Sequence, residues 1–195
     1  MLKSAMFAGG CFWCMVEPFD NLRGVRDVKV GYCGKNKPLS FEEVCKDDKN
    51  YYQVVKIIYD NLIISYDELL DIYFDNIDPT DEEGQFGDKG NCFRSVIFYY
   101  DINQFKKAQT KIEYLEENNI FNDLIATKLY KAENFYKAEE FHQNFYKKNH
   151  LLYKEYCNFS GRSEYLKKSY AKRHLTPLQY EVTQNKLREK PFDNE

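Results

Sequence analysis

The sequence predicts an α/β fold, a two-layer sandwich in which a mixed β-sheet carries flanking helices. Two observations predict it. Short apolar runs at 4–8, 25–32, 52–59, 93–100 and 124–130 have the length and the β-branched or aromatic character of strands. Stretches with a helical apolar period, at 12–21, 66–76, 103–117 and 136–147, fall between them. Strands and helices that interleave along a chain pack as layers on one sheet. At 195 residues the chain is long enough to bury one ordinary core.

The first strand is Ala5-Met6-Phe7-Ala8, apolar throughout and therefore buried. Gly9-Gly10 turns the backbone, and Met15-Val16-Glu17-Pro18-Phe19 reads as the opening of a helix. Ser65 or the Tyr66-Asp67-Glu68 segment starts the second helix with a cap and early acidic residues. The segment 78–91 is rich in Asp, Glu and Gly and has no apolar period, as expected of a functional loop.

Composition excludes several classes. A net charge of −3 leaves no nucleic-acid footprint. No apolar run approaches the ~20 residues of a membrane-spanning helix. The stretch ahead of Cys11 is too short and carries a lysine, so no signal peptide is expected. Six cysteines at irregular spacing, without such a peptide, fit a reducing cytoplasm better than a disulfide framework. Cys11-x-x-Cys14 lacks the second ligand pair of a zinc site, so no metal is expected.

The chemistry concentrates at Gly9-Gly10-Cys11-Phe12-Trp13-Cys14. A cysteine between a strand end and a helix start faces unpaired N–H groups and a positive dipole end, and both favour the nucleophilic thiolate. Phe12 and the chain's one tryptophan, Trp13, place an aromatic surface beside the sulfur. Two i,i+3 residues on a first helical turn lie ~5–6 Å apart, which keeps Cys14 within disulfide reach of Cys11.

At this hexapeptide the chain resembles the A-type methionine sulfoxide reductases, whose Gly-Cys-Phe-Trp signature reads here as Gly10 to Trp13. The likeness continues in order. It runs through Gly24-Val25, Val30-Gly31-Tyr32, Ile64-Ser65-Tyr66, Asp78-Pro79-Thr80 and Gln85-Phe86-Gly87-Asp88. Beyond these come Arg94-Ser95, Phe135-Tyr136-Lys137-Ala138-Glu139 and His142-Gln143. It covers roughly 4 to 165. The resemblance implies a ferredoxin-like fold and reduction of free and protein-bound methionine S-sulfoxide. Cys11 would be the nucleophile, passing through a sulfenic acid. Phe12 and Trp13 would form the methyl pocket, with Tyr32, Gln53 and Asp88 on the oxygen side. Cys14, or else Cys157, which lies past the last expected helix where the family's resolving cysteines often sit, would close a disulfide, and thioredoxin, or dithiothreitol in its place, would clear it. No organic cofactor is implied, and a cytoplasmic monomer is expected.

Two positions depart from that family. Where it has Gly-His-x-Glu, with the Glu as proton donor, this chain has Asn50-Tyr51-Tyr52-Gln53. Where it has a tyrosine before Arg94, this chain has Phe93. An amide donates a hydrogen bond but no proton near neutral pH. Two alternatives therefore stand beside the reductase reading. One is a degenerate paralogue that binds sulfoxide and turns over weakly. The other is a thiol–disulfide oxidoreductase using Cys11 and Cys14. His142 is read as a structural histidine, and Cys33, Cys45 and Cys92 as packing residues. The expected organisation is a catalytic domain at 1–165 and a linker with an extension at 166–195. In that extension, Leu175 to Gln184 and Lys190 to Glu195 resemble the opening of the B-type reductases, without their catalytic elements.

Overall fold

Short apolar runs build the sheet, buried without a break over Ala5 to Ala8 and Val96 to Phe98. In the computed structural model, which describes residues 1–36, 40–46 and 51–172, six strands form one sheet in the order β7-β6-β1-β3-β2-β8. These are β1 (Leu2–Ala8), β2 (Val25–Gly34), β3 (Tyr52–Asp60), β6 (Val96–Tyr99), β7 (Lys128–Lys131) and β8 (Asn134–Lys137). A two-residue hairpin, β4 (Gly84–Gln85) and β5 (Asp88–Lys89), stands apart. The helices are α1 (Phe41–Lys46), α2 (Tyr66–Asp75), α3 (Ile102–Glu117), α4 (Phe145–Lys148), α5 (His150–Phe159) and α6 (Arg162–Lys172).

The central pairs β6·β1, β1·β3 and β3·β2 are all antiparallel, and only β6·β7 is parallel, so the sheet is mixed. The order β6-β1-β3-β2 is the ferredoxin-like one. Val28, Val30, Val55 and Ile57 fill the core face together with Leu69, Leu70 and Tyr73 of α2. Helix α2 begins at a complete capping box. Ser65 Oγ accepts from the Glu68 N–H, and the Glu68 carboxylate accepts from the Ser65 N–H.

The structure corrects two helix expectations. Residues 12–21 form a run of turns, closed by i→i−3 bonds from Cys14 N–H to Cys11 C=O (3.0 Å) and Met15 N–H to Phe12 C=O (3.2 Å). Pro18 has no N–H to continue an α-helical ladder there. Without a regular helix, the macrodipole expected behind Cys11 is absent. Residues 136–147 also differ: they begin inside β8, pass through turns and reach α4 only at Phe145. The loop at 78–91 contains the β4–β5 hairpin and a 3-10 turn at Asn91–Phe93. The strand expected over 93–100 is shorter, and that over 124–130 starts later. Asn50 and the B-type-like segment from Leu175 lie outside the described residues. Among the described residues no helix is long and apolar enough to cross a membrane.

Candidate active site

Cys11 is placed by what holds the end of β1. Tyr73 Oη donates to the Ala8 carbonyl (2.7 Å), which pins the last strand residue to α2. Gly10 then turns at φ +86°, where a Cβ would come within 2.7 Å of Gln85 Cβ. Gln85 is itself fixed, its Oε1 accepting from Asp78 N–H (2.8 Å) and its Nε2 donating to Asp78 C=O (2.6 Å). The nucleophile candidate thus sits on a turn braced from both sides, with its side chain 8% exposed.

The aromatic residues after it form a wall. Phe12 is fully buried and packs on Tyr32, Phe41 and His142 at centroid distances of 5.8, 6.1 and 5.0 Å. Trp13 stacks on Phe145 at 3.8 Å and 9°. Its Nε1–H donates to His142 Nδ1 (3.0 Å), so the imidazole keeps that nitrogen unprotonated. Burial holds the His142 pKa below its ordinary value.

On the other side lies Gln53, 1% exposed on β3. Its Oε1 accepts from the Phe12 N–H (3.3 Å), and its Nε2 faces Cys45 Sγ (3.8 Å) and Cys92 Sγ (4.0 Å). Tyr32 Oη donates to Glu139 Oε2 (2.7 Å). Burial and that carboxylate push the Tyr32 pKa well up, so its hydroxyl stays protonated. Asp88 accepts from Tyr156 Oη, and burial raises the Asp88 pKa. Phe93 packs against the core and offers no hydroxyl.

The thiols form a line. Cys14 follows Cys11 by one turn, its N–H donating to the Cys11 carbonyl (3.0 Å), and its Sγ is 3.6 Å from Cys157 Sγ. Contact with Cys11, joined by burial, pushes the Cys14 pKa above the ordinary thiol range; contact with Cys14 and burial do the same for Cys157. Both are therefore held as thiols. A cavity of about 300 Å³ opens onto Cys14 and Cys157, rimmed by His150, Lys154 and Lys167.

The structure thus gathers Cys11, Phe12, Trp13, Cys14 and Cys157 into one site, with Gln53 and Tyr32 around Phe12. Asp88 reaches the site only through Tyr156. Sequence reasoning missed Tyr156, Glu139 and the Trp13–His142 bond. Glu139 and His142 stood in recognised motifs, but nothing in the sequence linked them to Tyr32 and Trp13.

A family model described as peptide methionine sulfoxide reductase matches residues 3–174. Peptide methionine sulfoxide reductase MsrA of Bacillus licheniformis is 42% identical over 171 residues, covering 87% of this chain and 94% of its own length. Mxr1 of Saccharomyces cerevisiae in reduced form superposes with a TM-score of 0.70 at 31% identity, covering 76% of this chain and 86% of that one. Mxr1 in complex with Trx2 matches at TM-score 0.53 and 24% identity, over 74% of this chain and 84% of that one.

Proposed function

The chain belongs to the peptide methionine sulfoxide reductase family, and from that premise we propose how its own residues carry thiol-dependent reduction of methionine S-sulfoxide. The observation that carries the proposal is the line in which Cys14, one turn after Cys11, stands 3.6 Å sulfur to sulfur from Cys157 beside a cavity. The Cys11 thiolate attacks the sulfoxide sulfur. The oxygen passes to Cys11 and takes a proton from solvent, giving a sulfenic acid, and methionine leaves. Phe12 and Trp13 shelter the methyl group.

Cys14 then attacks the sulfenic sulfur, the S–O bond breaks, and water departs with the Cys14 proton. Cys157 attacks Cys14 in turn and returns Cys11 to its thiol state. The second disulfide lies where the cavity gives a dithiol protein access, and thioredoxin suits that step. The yeast relative Mxr1, solved in complex with Trx2, supports this choice. The B-type likeness of the tail falls beyond the matched residues and adds nothing to the reading.

One observation favours a slower variant of the same enzyme. Both ends of the Gln53 amide are engaged, and neither can release a proton. The deciding experiment is dithiothreitol-dependent reduction of a methionine S-sulfoxide substrate by the purified chain. Stoichiometric methionine over many turnovers supports the reductase. Binding of sulfoxide without turnover supports the degenerate reading, and insulin reduction without sulfoxide reduction supports the oxidoreductase.

A further inference from the structure

Two cysteines stand outside the line of sulfurs and yet converge on one side chain. Cys45 is in the last turn of α1 and exposed; Cys92 is buried in the 3-10 turn Asn91–Phe93. Both sulfurs lie against one nitrogen, Gln53 Nε2, at 3.8 and 4.0 Å. Each thiol is the largest influence on the other's pKa. The bond from the Phe12 N–H to Gln53 Oε1 holds that amide still, so the pair is built into the fold rather than brought together by chance exposure.

We propose that Cys45 and Cys92 are a second redox site, which reacts with hydroperoxides and closes to a disulfide beside Gln53. The chemistry divides cleanly between the two. Hydrogen bonds from Cys92 and then the Gln53 amide hold the Cys45 pKa below the ordinary thiol value, outweighing its partial burial. Contact with Cys45, and then burial, pushes the Cys92 pKa far up, so Cys92 keeps its proton. The facing charges are Glu42 and Asp88, both of which act against the Cys45 thiolate.

An exposed thiol of lowered pKa beside a donor thiol is a peroxide-reactive arrangement. Cys45 Sγ attacks the terminal oxygen of the hydroperoxide and the O–O bond breaks. The alkoxide or hydroxide takes the Cys92 proton and leaves as alcohol or water. Cys92 then attacks the Cys45 sulfenic sulfur, the S–O bond breaks, and the oxygen departs as water with a proton from solvent. In total two thiols and one hydroperoxide give one disulfide, one alcohol or water, and one further water.

The test uses the Cys11→Ser chain, which removes the sulfoxide chemistry and makes the result independent of the reductase reading. The folded variant is treated with hydrogen peroxide, alkylated and mapped by mass spectrometry. Expected is a Cys45–Cys92 linked peptide, with alkylation of Cys45 reduced at least about tenfold while Cys33 stays free. In a second variant that also carries Cys92→Ser, dimedone should capture a sulfenic acid at Cys45. Full alkylation of Cys45 and Cys92 after treatment would overturn the proposal. So would Cys45 linked only to another chain, with Cys92 free.

Discussion

Cys14 Sγ and Cys157 Sγ lie 3.6 Å apart although 143 positions separate them. A small side-chain rotation closes such a gap to the ~2.05 Å of a disulfide. The two residues that sequence reasoning offered as alternatives are close enough to act one after the other in the proposed relay. Replacing Cys157 with Ser should leave the first turnover intact and trap the Cys11–Cys14 disulfide. Thioredoxin-coupled turnover should fall by about tenfold or more, since the cavity-side sulfur is gone. Peptide mapping after one equivalent of sulfoxide checks the trapped bond. Recovery of Cys14 as a free thiol would remove it from the relay.

Cys11→Ser should abolish methionine formation altogether. A hydroxyl near neutral pH is a far weaker nucleophile than a thiolate, and no other sulfur shares Cys11's place on the turn after Gly10. Methionine release with dithiothreitol as reductant measures it. Most of the activity surviving would sink the assignment of the nucleophile.

Trp13 reports the state of His142, because the indole N–H donates to Nδ1 and protonation there would remove the acceptor. Unfolded histidine titrates near 6.5, and burial puts the folded value lower. Between the two values the unfolded chain binds more protons, so stability rises with pH across that window. The contribution is fully present above about 6.5 and is lost as pH falls toward the folded value. Glu139 and Glu42 oppose the shift without reversing it. Fluorescence of the one tryptophan should stay constant above about pH 6.5 and change below it. His142→Gln, whose carboxamide oxygen still accepts from Trp13, should lack that transition. A transition of unchanged midpoint in the variant would assign it to another group.

Much of this was legible in the chain. Val25 to Tyr32 and Tyr52 to Tyr59 carry β-branched and aromatic runs that no other element competes for, and strands form over both. The segment 12–21 misled because its apolar period suits a helix while Pro18 breaks the ladder. Around 136–147 the period of a strand end and a short helix overlap, and pattern alone merges them. The place of Cys11 just past the first strand was legible because its neighbours are local. The Tyr156–Asp88, Tyr32–Glu139 and Cys14–Cys157 contacts were not, because each joins residues from distant elements.

Gln53 offers the sharpest test of what the oxygen side lacks. Its Oε1 accepts from the Phe12 N–H, and a glutamate there would keep that bond with one carboxyl oxygen. The second oxygen would replace Nε2 and face Cys45 and Cys92. At a site 1% exposed, desolvation raises a carboxyl pKa, so part of it is protonated near neutral pH and able to donate. Gln53→Glu should raise kcat for sulfoxide reduction by about tenfold or more, within the ~10²–10⁴ typical of general acids. The gain belongs to the protonated form. It is therefore full below the new group's pKa and fades as pH rises through it, whereas the unmodified chain shows no such limb. Phe93→Tyr alone should give a smaller gain, because a hydroxyl there adds a hydrogen bond and not the main proton. Steady-state kinetics of both single variants and the double variant, across pH, decide the matter. An unchanged kcat in Gln53→Glu, with the unmodified chain already fast, would mean that another group supplies the proton. Tyr32, whose hydroxyl is held protonated beside Glu139, would be the next residue to change.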